Sequence, residues 1–251
     1  MRAPIDTLSA PMIPPGLEWI NVASLRMDKQ LGHPVLIEFW DFCRCNSLRT
    51  LHYVRAWHQR YAQDGLRIIS VHAGGYPPSR DPARVRAAVA RLGMKHPVVI
   101  DADFELWREY GNEGWPARYL FGPELRLHSY HYGEGAYGET EAEIGELLGI
   151  EVEPLEPLRP EDAPGAQLVV PTAEQEGAWS GRYDAGAVWA VLEPHEGAPR
   201  SVRVDGGEIA VPHAGCFMLA EHPRHTGAVL DLEVGDGVTC HAVQFTAGLA
   251  S

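Results

Sequence analysis

Val35-Leu-Ile-Glu-Phe-Trp40-Asp-Phe-Cys43-Arg-Cys45-Asn-Ser47-Leu-Arg-Thr-Leu51 decides how the first half of this chain is read. Val35–Trp40 is a short apolar run of the kind a strand buried on both faces shows. Leu48, Leu51, Val54, Trp57 and Tyr61 follow at three- and four-residue spacing, which predicts a helix with one apolar face. The cysteines therefore fall where a strand passes into a helix. Unsatisfied N–H groups and the dipole at a helix N-terminus favour a thiolate there. Arg44 and Arg49 are expected to add positive potential, and Ser47 to cap the helix or hydrogen-bond a thiolate.

Outward from this stretch, residues 31–149 alternate between strands and helices. Leu66–His72 and Pro97–Ile100 read as strands. Asp81-Pro82 pairs an N-cap residue with proline in the first helical position and opens a helix to about Gly93. Phe104–Tyr110 reads as a short helix. Arg118–Phe121 and Leu125–Tyr132 flank Gly122-Pro123-Glu124 as a hairpin, and Glu139–Leu148 is a closing helix. The order β-α-β-α-β-α-β-β-α combines parallel crossovers with an antiparallel pair.

Residues 151–166 carry four prolines and five acidic residues, a composition suited to a semi-extended linker. Beyond them the pattern becomes short alternating runs: Ala187–Leu192, Arg200–Val204, Glu208–Val211, Cys216–Ala220, Ala228–Val234 and Val238–Thr246. Such spacing predicts a β-sandwich, with Asp205-Gly206-Gly207 as a hairpin turn. The expected layout is an α/β domain over 1–150, a linker over 151–166 and an all-β sandwich over 167–251.

The whole chain has 251 residues, of which 45% are hydrophobic and 22% charged, an ordinary globular composition. Its formal net charge of −13 argues against nucleic acid or an anionic membrane surface as partner. Four cysteines are too few to staple a chain of this length. The first residues, with Asp6 and prolines at 4, 11 and 14, lack a continuous apolar run, and no window suits a membrane span. A cytoplasmic location is expected.

Residues 35–61 also resemble the thioredoxin-like redoxin domains of the thiol-disulfide oxidoreductase family. The likeness continues through Trp115-Pro116-Ala-Arg-Tyr-Leu120 and Tyr132-Gly-Glu-Gly-Ala-Tyr137, and faintly through Leu230–Val238. In overall plan the chain is similar to the soluble part of a bacterial membrane electron-transfer protein, in which a thioredoxin-like domain precedes a sandwich like those of carbohydrate-binding modules. The resemblance implies a central mixed sheet flanked by helices, a cis-proline at Pro116 with Trp115 lining the same surface, and a proton-shuttling carboxyl at Glu38; Trp40, like Trp115, is expected to divide between core and site floor. Glu38 can equally be read as the partner of an arginine, since a buried carboxylate needs one. One departure stands out. The family's Cys-x-x-Cys falls on Arg44 and Ser47, so its dithiol cycle does not carry over to the Cys-x-Cys present here.

The leading functional expectation is a thiol-disulfide oxidoreductase or redoxin using Cys43 or Cys45, with a protein disulfide or small peroxide as substrate and an external thiol as reductant. No cofactor is expected. The alternatives are a redox-silent peptide-binding thioredoxin-like module, or an adaptor that binds ligand through the sandwich. His213/Cys216, His222/His225 and Cys240/His241 have close-pair spacing without a recognised zinc pattern, and no metal is expected. Trp179, Tyr183 and Trp189 are the aromatic residues available to a sugar ligand.

Overall fold

The computed structural model describes residues 7–196 and 200–250, so Pro4 and Asp6 lie outside the described residues. The chain forms two compact units. The first runs to Asp41 and resumes over Asn46–Glu156. The second comprises Phe42–Cys45 together with Pro157–Ser251.

The first unit is built on a six-stranded mixed sheet of β1 (Glu18–Ile20), β2 (Val35–Trp40), β3 (Arg67–His72), β4 (Val98–Ile100), β5 (Ala117–Phe121) and β6 (Leu127–Tyr132), in the order β1-β4-β3-β2-β5-β6. β2 runs parallel to β3 and antiparallel to β5. The helices are α1 (Cys45–Tyr61), α2 (Pro82–Arg91), α3 (Glu105–Glu109) and α4 (Tyr137–Leu148). All six residues of β2 are buried, as the unbroken apolar run implies for a strand covered on both faces. Pleat parity divides its side chains. Val35, Ile37 and Phe39 join Ile69, Val71, Val99, Ala117, Tyr119 and Phe121 in one core. Glu38 points the other way, with Leu36 and Trp40. On α1, the expected face is buried at Leu51, Val54, Trp57 and Tyr61, and Leu48 is half-buried.

Local chemistry accounts for the helix ends. The Asp81 carboxylate accepts from the Ala83 N–H at 2.8 Å and Pro82 is the first helical residue. Asp101 accepts from three successive amides, Glu105, Leu106 and Trp107, and anchors α3. The latter helix is shorter than the spacing predicts, because Phe104 is left-handed. α4 begins two residues before the expected Glu139, at Tyr137, whose ring stacks on Tyr53 at 3.8 Å.

The second unit is all β. Its principal sheet orders β12 (Gly215–Leu230), β9 (Gly181–Pro194), β14 (Val238–Thr246) and β8 (Gln175–Glu176). A second sheet orders β11 (Gly207–Ala210), β10 (Ser201–Val204) and β13 (Leu232–Val234), and β7 (Leu168–Val169) pairs with β15 (Gly248–Leu249). Val188, Ala190, Leu192 and Val243 from one sheet and Val202, Val204 and Leu232 from the other share a single core, the packing of a sandwich. Cys216–Ala220 and Ala228–Val234 do not form two separate strands as expected. β12 runs through the first and on to Leu230, absorbing the polar segment at irregularities near Met218 and Glu221, while the rest of the second becomes β13 in the other sheet. The β10–β11 turn is Asp205-Gly206, both at positive φ, with Gly207 already paired to Val204.

Phe39 is fully buried, and Trp107, Tyr110 and Tyr119 meet its ring edge-on at 5.3–5.8 Å. Phe39→Ala should therefore cost about 3–5 kcal/mol of stability. Denaturant unfolding of the full chain checks this, and a loss under about 1 kcal/mol would mean that these rings close over the gap.

Candidate functional site

The strand-to-helix junction has the geometry that the sequence implies. β2 ends at Trp40, Cys43 lies in the following turn, and Cys45 is the first residue of α1. Both cysteines are buried, at 0% and 3% exposure, and all four cysteines are free thiols. Ser47 is buried on α1, and its Oγ accepts from the Asp41 N–H at 3.2 Å, tying the helix start to the end of the strand.

Within the second unit, one side chain holds the cysteine segment. Gln244, buried on β14, donates from Nε2 to the Cys43 carbonyl at 3.1 Å. Its Oε1 accepts from the Cys45 N–H at 2.9 Å and from the Cys216 thiol at 3.7 Å. Gln244 thus supplies the first amide of α1 with the partner that an N-cap residue ordinarily supplies. Nothing in the sequence marks this residue, because its partners lie about 200 positions away.

The two arginines do not provide the positive potential expected of them. Arg44 is paired with Glu174 at 3.4 Å, and Arg49 with Glu134 at 2.7 Å. Each guanidinium is matched by a carboxylate, which cancels most of its field at a distance.

The first unit places the remaining expected residues. Trp40 is fully buried, its ring edge-on to His72 at 4.9 Å. The Trp115–Pro116 peptide is cis. Trp115 is half-buried, donates from Nε1 to the Ala73 carbonyl at 2.9 Å and packs on Trp107 at 4.3 Å. Glu38 has no exposed surface. Its Oε2 accepts from the Ser70 hydroxyl at 2.6 Å, and the Ser70 oxygen is 2.8 Å from His96 Nε2. Arg118 lies opposite Glu38 in the β2–β5 register and is itself 2% exposed. Arg118 is thus Glu38's neighbour in register and not its hydrogen-bonded partner, since Glu38 Oε1 and Arg118 Nε and Nη1 are buried without one. Burial pushes its pKa up to about 7, and the Ser70 hydrogen bond and the Arg118 charge offset part of that rise. Burial drives His72 and His96 down to about 3.

The aromatic residues proposed for sugar binding are largely structural. Tyr183 is buried and bonds His222 at 2.8 Å, and Trp179 packs edge-on against Phe245 at 5.7 Å; Trp189 is half-buried. His213 stacks on Phe217, and His241 bonds Glu193 at 2.8 Å. Among the described residues, no group of three or more His, Cys, Asp or Glu side chains is arranged to hold a metal ion.

Comparison with known proteins agrees with this geometry. A solved thioredoxin-like protein in its oxidised form matches 58% of this chain and 99% of its own, with 25% identity and a TM-score of 0.51. The first unit has a thioredoxin-like fold. No protein-family profile matches the chain. Protein DipZ of Mycobacterium bovis is 35% identical over 134 residues, which is 53% of this chain and 19% of DipZ. The chain therefore spans about a fifth of that relative's length. The thiol-disulfide oxidoreductase YkuV of Bacillus subtilis is 24% identical over 131 residues, 52% of this chain and 87% of YkuV. All three likenesses cover little more than half of the chain, as a match to the thioredoxin-like unit would. Among the described residues no helix is long and apolar enough to cross a membrane.

Two outcomes test these contacts. Because folding raises the pKa of Glu38, the native state holds its proton over a range in which the unfolded chain has released it. The carboxyl's contribution is complete below the unfolded value of 4.5 and is lost as pH rises through about 7. The unfolding free energy of wild type minus that of Glu38→Gln should therefore fall by about 3 kcal/mol between pH 4.5 and pH 8. A flat difference would place the carboxyl's titration outside this window. Separately, Gln244→Ala removes two backbone hydrogen bonds, each worth about 1 kcal/mol. Alkylation of Cys43 and Cys45 should then accelerate about tenfold or more, and an unchanged rate would show that the clamp does not control access.

Proposed function

We propose that the chain is a thiol-disulfide oxidoreductase acting through Cys43 or Cys45. The observation that carries this reading is the position of the two cysteines, at the β2–α1 junction of a thioredoxin-like unit whose central strand holds a buried carboxyl. In the proposed step a thiolate attacks one sulfur of a protein disulfide. That S–S bond breaks, the distal sulfur leaves as thiolate, and a mixed disulfide joins enzyme and substrate. A second thiol then attacks the enzyme sulfur and releases the reduced substrate. Ser47 occupies the place where the resemblance puts the resolving cysteine, so the second thiol is the neighbouring cysteine or an external reductant. A peroxide substrate would instead oxidise the thiolate to a sulfenic acid and leave as water or an alcohol; the second thiol then condenses with the sulfenic acid to a disulfide, releasing water, and external thiol reduces that disulfide. Glu38 is assigned the proton that the thiol loses and regains. The proposal keeps a reducing, cytoplasmic setting, consistent with four free thiols.

A second reading has an observation in its favour. Both thiols are buried, which suits a redox-silent module that binds an extended peptide beside Trp115-Pro116. The two readings differ in one assay. The oxidoreductase should reduce insulin disulfides in the presence of dithiothreitol, and Cys43→Ser or Cys45→Ser, whichever removes the nucleophile, should return the rate to background. Wild-type activity at background, with both thiols titrating near the ordinary ~8.5, would leave the binding module as the function.

A further inference from the structure

Three polar side chains continue inward contacts of Glu38 toward the surface of the first unit, and the thiol mechanism uses none of them. Ser70 donates to Glu38 Oε2 at 2.6 Å, so its oxygen is free to accept from His96 Nε2, 2.8 Å away. Ser70 is fixed opposite this histidine because its backbone N–H donates to the Pro97 carbonyl at 3.0 Å. His96 is fully buried, and its carbonyl accepts from the Asn21 side chain at 2.8 Å. Its other ring nitrogen, Nδ1, is buried with no hydrogen-bond partner. The His96 ring lies 5.4 Å, centroid to centroid, from that of His58, a half-buried residue of α1 whose own Nδ1 also lacks a partner. A buried ring nitrogen without a partner is costly, and here two of them occur on neighbouring rings that lead outward.

We propose that Ser70, His96 and His58 form a proton relay that connects the buried carboxyl of Glu38 with the surface at α1. The balance is simple. With Glu38 ionised, Ser70 donates to the carboxylate and His96 donates from Nε2, leaving a lone pair on Nδ1. No hydrogen bond joins the two rings, so a proton comes from His58 to His96 Nδ1 through one bridging water or a small ring movement; its arrival lets Nε2–H pass to the Ser70 oxygen while the Ser70 proton passes to Glu38. The end state is a neutral carboxylic acid donating to Ser70, Ser70 donating to Nε2, and His96 protonated on Nδ1. One proton has entered, and His96 is neutral before and after. Release runs the same steps in reverse.

The surroundings suit this arrangement. Burial, together with His58 and Arg55 on α1, disfavours a charged His96, so the ring passes protons by exchanging tautomers. The groups facing the carboxyl are Ser70 on β3 and Arg118 on β5. Arg118 is in turn covered by the rings of Trp57 on α1 and Tyr137 on α4, at 5.7 and 4.9 Å. The relay's service to thiol exchange rests on the function proposed above, but its existence does not.

Nitrogen-15 NMR of the full chain with labelled histidine reads the relay directly. The His96 signals, among twelve histidines, are those lost in His96→Gln, or are assigned by through-space contacts to Ser70 should that variant not fold. Neutral His96 is expected to carry its proton on Nε2 above the Glu38 titration and on Nδ1 below it, with both changes sharing a midpoint near 7. In Glu38→Gln and in Ser70→Ala the pH-dependent exchange of tautomers should vanish. A merely structural histidine would not respond to either substitution in this way. His96 keeping one tautomer in wild type from about pH 5 to about pH 9, or becoming an imidazolium within that range, would overturn the proposal. Tautomer exchange in a protein that fails the insulin assay would remove the redox reading and leave the relay standing. Activity without tautomer exchange would do the opposite.

Discussion

A carboxyl group with no exposed surface, in the central strand of the sheet, is the constraint around which the first unit is arranged. Glu38 sits on the face of β2 opposite the main apolar core, and several groups come together there to make it tolerable. Ser70 hydrogen-bonds it, Arg118 lies across from it in register, and aromatic rings from α1 and α4 cover the guanidinium. The match is incomplete. Glu38 Oε1 and Arg118 Nε and Nη1 are buried without hydrogen-bond partners. A fold optimised for stability alone would place apolar side chains here, since replacing a buried charged pair by well-packed apolar residues is often stabilising. Retaining the charge is easier to explain if the carboxyl's proton has a use.

The same constraint connects pH to stability from two directions. Glu38 loses its contribution as pH rises through about 7, whereas His72 and His96, held neutral by burial, lose theirs as pH falls from the unfolded value of 6.5 toward about 3. The interior of the first unit is thus best satisfied in a band near neutrality, where the histidines are uncharged and the carboxyl is close to half-protonated. A group that is half-protonated at working pH exchanges its proton with the least cost in either direction, and this is the property general acid–base chemistry requires.

The sequence revealed those parts of the fold whose signals are local. β2, β3 and α1 follow from apolar runs and helical spacing, and α2 from Asp81-Pro82. β1 escaped notice because Glu18-Trp19-Ile20 is too short to carry a period and becomes a strand only by pairing with β4. The polar segment between the apolar parts of β12 looks like a loop, whereas the register shifts at Met218 and Glu221 let pairing with β9 continue past it to Leu230, and the chain changes sheet only at Asp231. At the candidate site, the cysteines, Glu38, Trp115 and Pro116 were legible, since each is unusual in its own segment. Gln244, Ser70 and His96 were not. A single glutamine in an alternating strand, a serine in an apolar run and a histidine beside a proline are unremarkable until the fold supplies their partners. The arginines erred in the opposite sense. Their proximity in sequence suggested free positive charge, and only the structure shows Glu174 and Glu134 beside them.

The burial of Cys43 and Cys45 bears on reactivity less than it first suggests. The segment that carries them is a short turn between a strand and a helix, and the interactions described for its backbone include two neutral hydrogen bonds from Gln244. Bonds of this kind contribute about 0.5–1.5 kcal/mol each, so releasing both costs about 1–3 kcal/mol. This is small beside the stability of a domain and falls in the range of local opening. Gln244 also occupies the N–H of Cys45, one of the helix-terminal donors that would otherwise favour a thiolate. Opening would then do two things together: it exposes the sulfur, and it frees a donor that activates it. A clamp placed on the backbone beside a thiol, and not on the thiol itself, ties access to the sulfur to the release of a helix-terminal donor without a change in the cysteines.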